Sequence, residues 1–284
     1  MDRGYIYLNK KSYLHNIEVL KNLSRKELCL VVKANAYGHG LEWAVQNAKE
    51  SGIKWFAVAS IDEGIQVKKV YGESSVLLLA EPSISQLENV KGNDIDLTVY
   101  NESFIDTLIE TEDEYSVHLK IDTGMHRLGC PPGKFYDLYK KIIDSNLNLI
   151  GFCTHFPLAD TDEAETKKSI ELFEKTISDI DTTNMILHVD NSASSLYKLD
   201  NSFNMARVGI AAYGVQITAV DNENELIPIM EIKTRISNLQ VRKKGEAVSY
   251  GKLKDYPETQ LLRLHLLDMV MGIHGIHFLM EKSL

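Results

Sequence analysis

From Tyr5 to Val208 the apolar positions fall into two alternating rhythms. Short runs of β-formers recur at Tyr5–Leu8, Leu28–Lys33, Trp55–Ala59, Ser75–Leu79, Leu97–Val99, Val117–Ile121, Leu149–Cys153, Met185–Val189 and Asn204–Val208. Each is short and nearly continuous in apolar character, which is how a strand buried on both faces reads. Between them lie helical patterns. Lys10–Leu23 carries an apolar stripe at Leu14, Ile17, Leu20 and Leu23, and Ser60 precedes Asp62 and Glu63 as a hydroxyl cap followed by acids. Further helices are predicted over Leu41–Ser51, Ser83–Val90, Asn101–Ile109, within Pro132–Ser145, and over Ala164–Ile180 and Ser192–Tyr197. Strands alternating with helices imply a parallel sheet with crossover connections. Eight or so such units favour a closed (β/α)8 TIM barrel over an open doubly wound sheet, and no Gly-x-Gly-x-x-Gly fingerprint follows any strand. Past Glu223 the rhythm changes. Ile227–Val241 alternates apolar and polar residues, Lys243–Glu246 reads as a turn, and Ala247–Gly251 returns as a strand. This is the pattern of an incomplete β-rich domain.

Composition adds exclusions. The 284 residues carry a net charge of −9, which argues against a nucleic-acid partner. No apolar run reaches the length of a membrane span, and the N-terminus lacks a signal-peptide layout. The three cysteines, Cys29, Cys130 and Cys153, are odd in number and widely spaced, which favours a reducing, cytoplasmic setting and no zinc pattern.

In a barrel of this kind the site forms at the C-terminal ends of the strands. Several chemically notable residues fall there: Lys33, Lys120, His155, Asn191 and Arg207. Lys33 ends the run Leu28–Val32 and opens the segment Lys33-Ala34-Asn35-Ala36-Tyr37-Gly38-His39-Gly40. A buried lysine is costly as a cation, and desolvation makes an amine a better nucleophile towards a carbonyl. On spacing alone, a snorkelling lysine at a strand end is the ordinary reading.

The stretch Val31–Gly40 resembles the pyridoxal-phosphate lysine motif of the alanine racemase family, and the likeness extends over roughly residues 3–251. It implies that Lys33 anchors the cofactor covalently and that Tyr37 binds its phosphate. His118–Gly129 resembles the family's Lys-x-Asp-Thr-Gly-Met-x-Arg-Leu-Gly segment. Arg127 then contacts the cofactor's phenolic oxygen, and Lys120 stands where many members carry a carbamylated lysine that orients this arginine. Phe152–Phe156 places His155 where the family stacks a histidine on the pyridine ring. His188–Ala193 is similar to a His-x-x-Asn-Ser segment, which implies cofactor contacts from Asn191 and Ser192; Asp190 departs from the small residue expected there. In Asn204–Gly214, Arg207 matches an arginine that bonds the pyridine nitrogen, and the N–H groups of Gly209 and Ile210 complete the phosphate cradle. Val248-Ser249-Tyr250-Gly251 matches the strand that carries the family's second base, delivered across a homodimer.

The resemblance therefore implies racemisation of L- and D-alanine, supplying D-alanine for peptidoglycan, with Lys33 and Tyr250 as the two bases. A serine or broader-specificity racemase, and a barrel that binds pyridoxal phosphate without catalysis, are the alternatives. The expected boundaries are a barrel over 1–222, the start of the β-rich domain over 223–251, and a tail over 252–284. Family members continue from here with a Gly-Tyr-x-Asp-Gly segment. Codons permitted for Leu267–Phe278 encode Gly-Tyr-Gly-Asp-Gly in a shifted frame, so the tail is expected to be out of frame, with weakened cofactor binding and low activity in this chain. The other reading of the tail is a helix using Leu261, Leu262, Leu264, Leu266 and Leu267.

Overall fold

The structure is a computed structural model that describes residues 4–197, 201–217, 226–234, 236–248, 254–255 and 260–265. Fourteen strands are assigned among them. β1 is Gly4–Leu8, and β2 to β9 are Glu27–Val31, Trp55–Val58, Ser75–Leu78, Ile95–Val99, Ser116–Lys120, Asn148–Cys153, Ile186–Asp190 and Met205–Val208. β10 to β14 are Met230–Thr234, Ile236–Arg242, Ala247–Val248, Lys254–Asp255 and Gln260–His265. β2 to β9 pair in parallel in sequence order, and β9 returns to β2, which closes an eight-stranded barrel. This is the expected (β/α)8 architecture.

Alternation along the strands sorts side chains into two interiors. Leu28, Leu30, Val32, Phe56, Val58, Val76, Leu78, Leu97, Val99, Val117, Leu119, Phe152, Leu187, Val189, Ala206 and Val208 join one continuous core with the helices. The intervening residues face the barrel axis. Cys29, Val31, Ala57, Leu77 and Met205 form a separate apolar cluster there. The helices obey their local signals: the Ser60 hydroxyl accepts from Glu63 N at 3.3 Å, Asp162 Oδ1 from Glu165 N at 2.9 Å, and Asn9 Oδ1 from Ser12 N at 3.2 Å.

The chain divides into two compact units, Asn9–Ile229 and a second made of Met1–Leu8 with Met230–Leu284. The expected boundary at 222/223 is therefore displaced at both ends. β1 pairs antiparallel with β10, Gly4 opposite Thr234, and takes no part in the barrel. Residues 226–229 stay with the barrel because Asn16 Nδ2 donates to Ile227 O and Ala212 O, Ile227 N donates to Asn16 Oδ1, and Asn9 N donates to Ile229 O. The alternating run Ile227–Val241 is accordingly split into β10 and β11. In the second unit β11 pairs with β14 and β12 with β13, all antiparallel. Gln260–His265 is thus a strand rather than part of a helix. Tyr250 and residues 266–284 lie outside the described residues.

Candidate functional site

A cavity of about 480 Å3 opens at the C-terminal ends of the barrel strands. Lys33, Tyr37, Lys120, Arg127, His155, Asn191, Ser192, Arg207, Gly209 and Ile210 all line it. The ten are drawn from five different strand–loop junctions, and closure of the barrel brings them together.

Lys33 lies just beyond β2, separated from it by Val32. The segment after it is one turn of left-handed helix: Ala34, Asn35, Ala36 and Tyr37 have φ between 51° and 54°. Each non-glycine residue there costs about 1–2 kcal/mol. Specific bonds hold the turn. Ala36 N donates to Val32 O at 2.8 Å, Gly38 N to Ala34 O at 3.0 Å, and Asn35 Oδ1 accepts from Leu41 N at 2.8 Å. The turn sends Tyr37 back over the strand end, with its ring centroid 5.9 Å from Lys33 Nζ. The Tyr37 hydroxyl reaches Gly209 so closely that a Cβ there would sit 2.6 Å from it, so a larger residue would displace the tyrosine.

The loop carrying Arg127 is closed on Asp122. Its Oδ1 accepts from Gly124 N and His126 N, both at 3.0 Å. Gly129, at φ +134°, lies against the backbone of Ile121 and Asp122, where a Cβ would come within 2.7 Å of Asp122 N. The Asp-Thr-Gly and Leu-Gly parts of the motif are thus scaffolding for the arginine.

Lys120 is buried on the barrel axis. Burial lowers its pKa, and Arg207 and Arg127 push the same way against an opposing contribution from Cys153. His155 is held down at about 3, chiefly by burial and then by Arg207, Lys120, Arg127 and Lys33, so its ring is neutral near pH 7. Arg207 is 7% exposed. Its guanidinium donates to Thr154 O at 2.5 Å, to His188 O, and to His188 Nδ1 at 2.8 Å.

Two of the expected contact groups already have partners within the chain. Asn191 lines the cavity, but its Oδ1 accepts from Ala193 N and Ser194 N at 3.0 and 3.1 Å. It therefore caps the helix Ser192–Tyr197, and its carbonyl is committed to the backbone. The Gly209 N–H, expected to stand open as part of a cradle, donates to Ser192 Oγ at 2.9 Å. Asp190 is accounted for as well. Buried itself, it pairs with the partly buried Lys26 at 2.5 Å and accepts from Asn201. His188, His118, Cys153 and Thr154 were not singled out from the sequence. His118 and Lys120 share one parity on β6, and so do Cys153 and His155 along and just beyond β7, which is the signal that would have flagged them.

The cavity's charged lining is Lys33, Lys120, Arg127 and Arg207 against the single carboxylate of Asp160, with His155, His188 and the hydroxyls of Tyr37, Thr98 and Ser192 between them. Such a donor set suits an anionic ligand.

Known proteins agree with this arrangement. The family model described as alanine racemase, N-terminal domain, matches residues 8–217. An alanine racemase of Treponema denticola is 34% identical over 265 residues, covering 88% of this chain and 69% of its own length. One of Pediococcus pentosaceus is 31% identical over 289 residues, covering 97% and 77%. Among solved structures, an alanine racemase of Clostridium difficile 630 superposes with a TM-score of 0.81 at 27% identity, over 93% of this chain and 72% of that one. Among the described residues no helix is long and apolar enough to cross a membrane. With its barrel, its cavity and these relatives, the chain belongs to the alanine racemase family of isomerases.

Proposed function

We propose that the chain racemises alanine with pyridoxal 5′-phosphate, and so supplies D-alanine of the kind built into bacterial peptidoglycan. The observation that carries this reading is the meeting of Lys33, Tyr37, Arg127, His155, Ser192 and Arg207 on one cation-rich cavity. The residues fit the cofactor. Lys33 offers an amine for its aldehyde, Tyr37 and Ser192 offer hydroxyls for its phosphate, and Arg127 offers a guanidinium for its phenolic oxygen. When bound, the cofactor supplies the electron sink that acidifies the Cα–H of the amino acid.

The chain's own residues do the rest. Lys33 Nζ moves the Cα proton on one face, and Tyr250 Oη moves it on the other. Arg207 only donates, so it leaves the pyridine nitrogen unprotonated and weakens the sink. That favours return of the proton at Cα over transamination. His155, neutral near pH 7, adds bulk without a further positive charge. Lys120, with its lowered pKa and cationic neighbours, suits a carbamate formed on carbon dioxide, which would give Arg127 an anionic partner. The homodimer, with Tyr250 delivered by a second copy, belongs to the same proposal, as does the cytoplasmic setting.

The test is reconstitution of the purified chain with pyridoxal phosphate. A visible absorbance band, exchange of L- and D-alanine, and loss of both in Lys33→Ala are expected. A band that survives Lys33→Ala, or no band at all, would sink the reading.

A further inference from the structure

Arg207 is a buried cation whose named acceptors are all uncharged: Thr154 O, His188 O, His188 Nδ1 and, at 3.5 Å, His155 Nδ1. No carboxylate pairs with it among the described residues. It contacts His188, itself on the cavity wall, and from there the contacts run along the barrel axis to His118. A guanidinium donates and never accepts, so His188 Nδ1 must present a lone pair, and the ring proton must sit on Nε2. His188 Nε2 is 2.9 Å from His118 Nδ1, with the two rings 4.8 Å apart and nearly perpendicular. It donates there, which leaves the His118 proton on Nε2. That atom is fully buried and has no ordinary hydrogen-bond partner, and the carboxylate facing it is Asp96 Oδ2 at 3.5 Å. The direction of the donors is thereby set from the Arg207 end, by a guanidinium that only donates, and the last ring proton points towards the Asp96 carboxylate.

We propose that Asp96, acting through His118 and His188, is the remote counter-charge that orients the Arg207 guanidinium, which makes Asp96 and His118 positioning residues for whatever the cavity binds. The inference deepens the function proposed above and rests on it for the identity of the ligand. The hydrogen-bond order itself does not depend on that identity. A merely structural role for His118, packed edge-on to Trp55 at 6.0 Å, would not require a particular ring proton.

The experiment uses the full chain labelled with 15N at histidine, read by NMR with and without pyridoxal phosphate, together with the cofactor's dissociation constant. Both His188 and His118 are expected as the Nε2–H tautomer. His118→Leu removes the acceptor, so His188 should lose its single tautomer and the cofactor should bind roughly threefold to tenfold more weakly, the worth of one buried hydrogen bond. His118→Asn keeps an acceptor near the Nδ1 position and a donor towards Asp96, and should restore most of the loss. Asp96→Asn keeps the shape, removes the charge, and should weaken binding about threefold, at the low end of the same range. A proton on His188 Nδ1 in the unaltered chain would overturn the proposal, whatever the variants do. So would equal binding by the Leu, Asn and unaltered chains. Failure of the unaltered chain to bind pyridoxal phosphate, with the tautomers as expected, would count against the proposed function and leave this inference standing.

Discussion

The same eight strands present two different interiors. Their outward faces, packed under the helices, are apolar throughout, and residues such as Phe56, Val58, Leu97, Val117, Leu119 and Phe152 are wholly excluded from water. Their inward faces divide. Towards β2 to β4 the axis is lined by Cys29, Val31, Ala57 and Leu77, joined by Met205 of β9; towards β5 to β9 it also carries Asp96, Thr98, His118, Lys120, His188 and Arg207. The outer interior is bought with hydrophobic transfer and close packing, and most volume-conserving swaps there preserve the fold. The axial interior holds cations and imidazoles away from water, and there Arg207 and His188 have directed partners. A barrel can carry such a half-polar axis because its outer core supplies the stability.

Four measurements break or sharpen that comparison. Lys33→Ala should lower the racemisation rate by at least about 10²–10⁴-fold, the worth of a positioned proton-transfer group, while the denaturation midpoint stays nearly unchanged. Phe152→Ala should do the reverse. Phe152 stacks edge-on against Phe135 at 5.2 Å in the outer core, so its loss should cost about 3–5 kcal/mol in denaturant unfolding with little change in rate per folded molecule.

Acid sharpens the axial side. An ordinary histidine protonates near pH 6.5, whereas His155 resists until about pH 3 and His188 is also held well below its ordinary value, in both cases chiefly by burial. Between those limits the unfolded chain binds protons that the native one refuses. Stability should therefore fall as the pH drops from about 6.5 towards 3, by up to about 1.4 kcal/mol per pH unit for each such histidine, and His155→Asn should flatten the slope. Smallest is Asn191→Ala. Loss of the cap on the helix Ser192–Tyr197 should cost about 1 kcal/mol in thermal or chemical unfolding, although the residue lines the cavity. A large loss of cofactor affinity without that destabilisation would return Asn191 to direct binding.

Much of this was legible in the order of residues. Strand and helix positions followed from apolar runs and caps; Lys33, Lys120, His155, Asn191 and Arg207 stood out at strand ends, and Arg127 and Ser192 through the motifs that resemble the family's. Other features were hidden for definite reasons. The left-handed turn at Ala34–Tyr37 uses residues that individually disfavour it, so no local preference announces it. β1 reads like any other short strand, and only its pairing with β10 takes it out of the barrel. Asn191 offers an amide that could serve a ligand or a backbone with equal ease, and the geometry of the following turn commits it to the backbone.

The chain's own sequence determined the alternation of strands and helices, the closed parallel barrel and the residues around its mouth. These depend on hydrophobic periodicity and on motifs a few residues long, which are local properties of the chain. Tertiary structure alone decided which parity of each strand faces the axis, and hence that Asp96, His118, His188 and Arg207, drawn from four different strands, form one directed line. A fully buried strand is apolar on both faces, so its pattern does not say which side is inside. Barrel closure decides that, and with it what each buried polar group can reach.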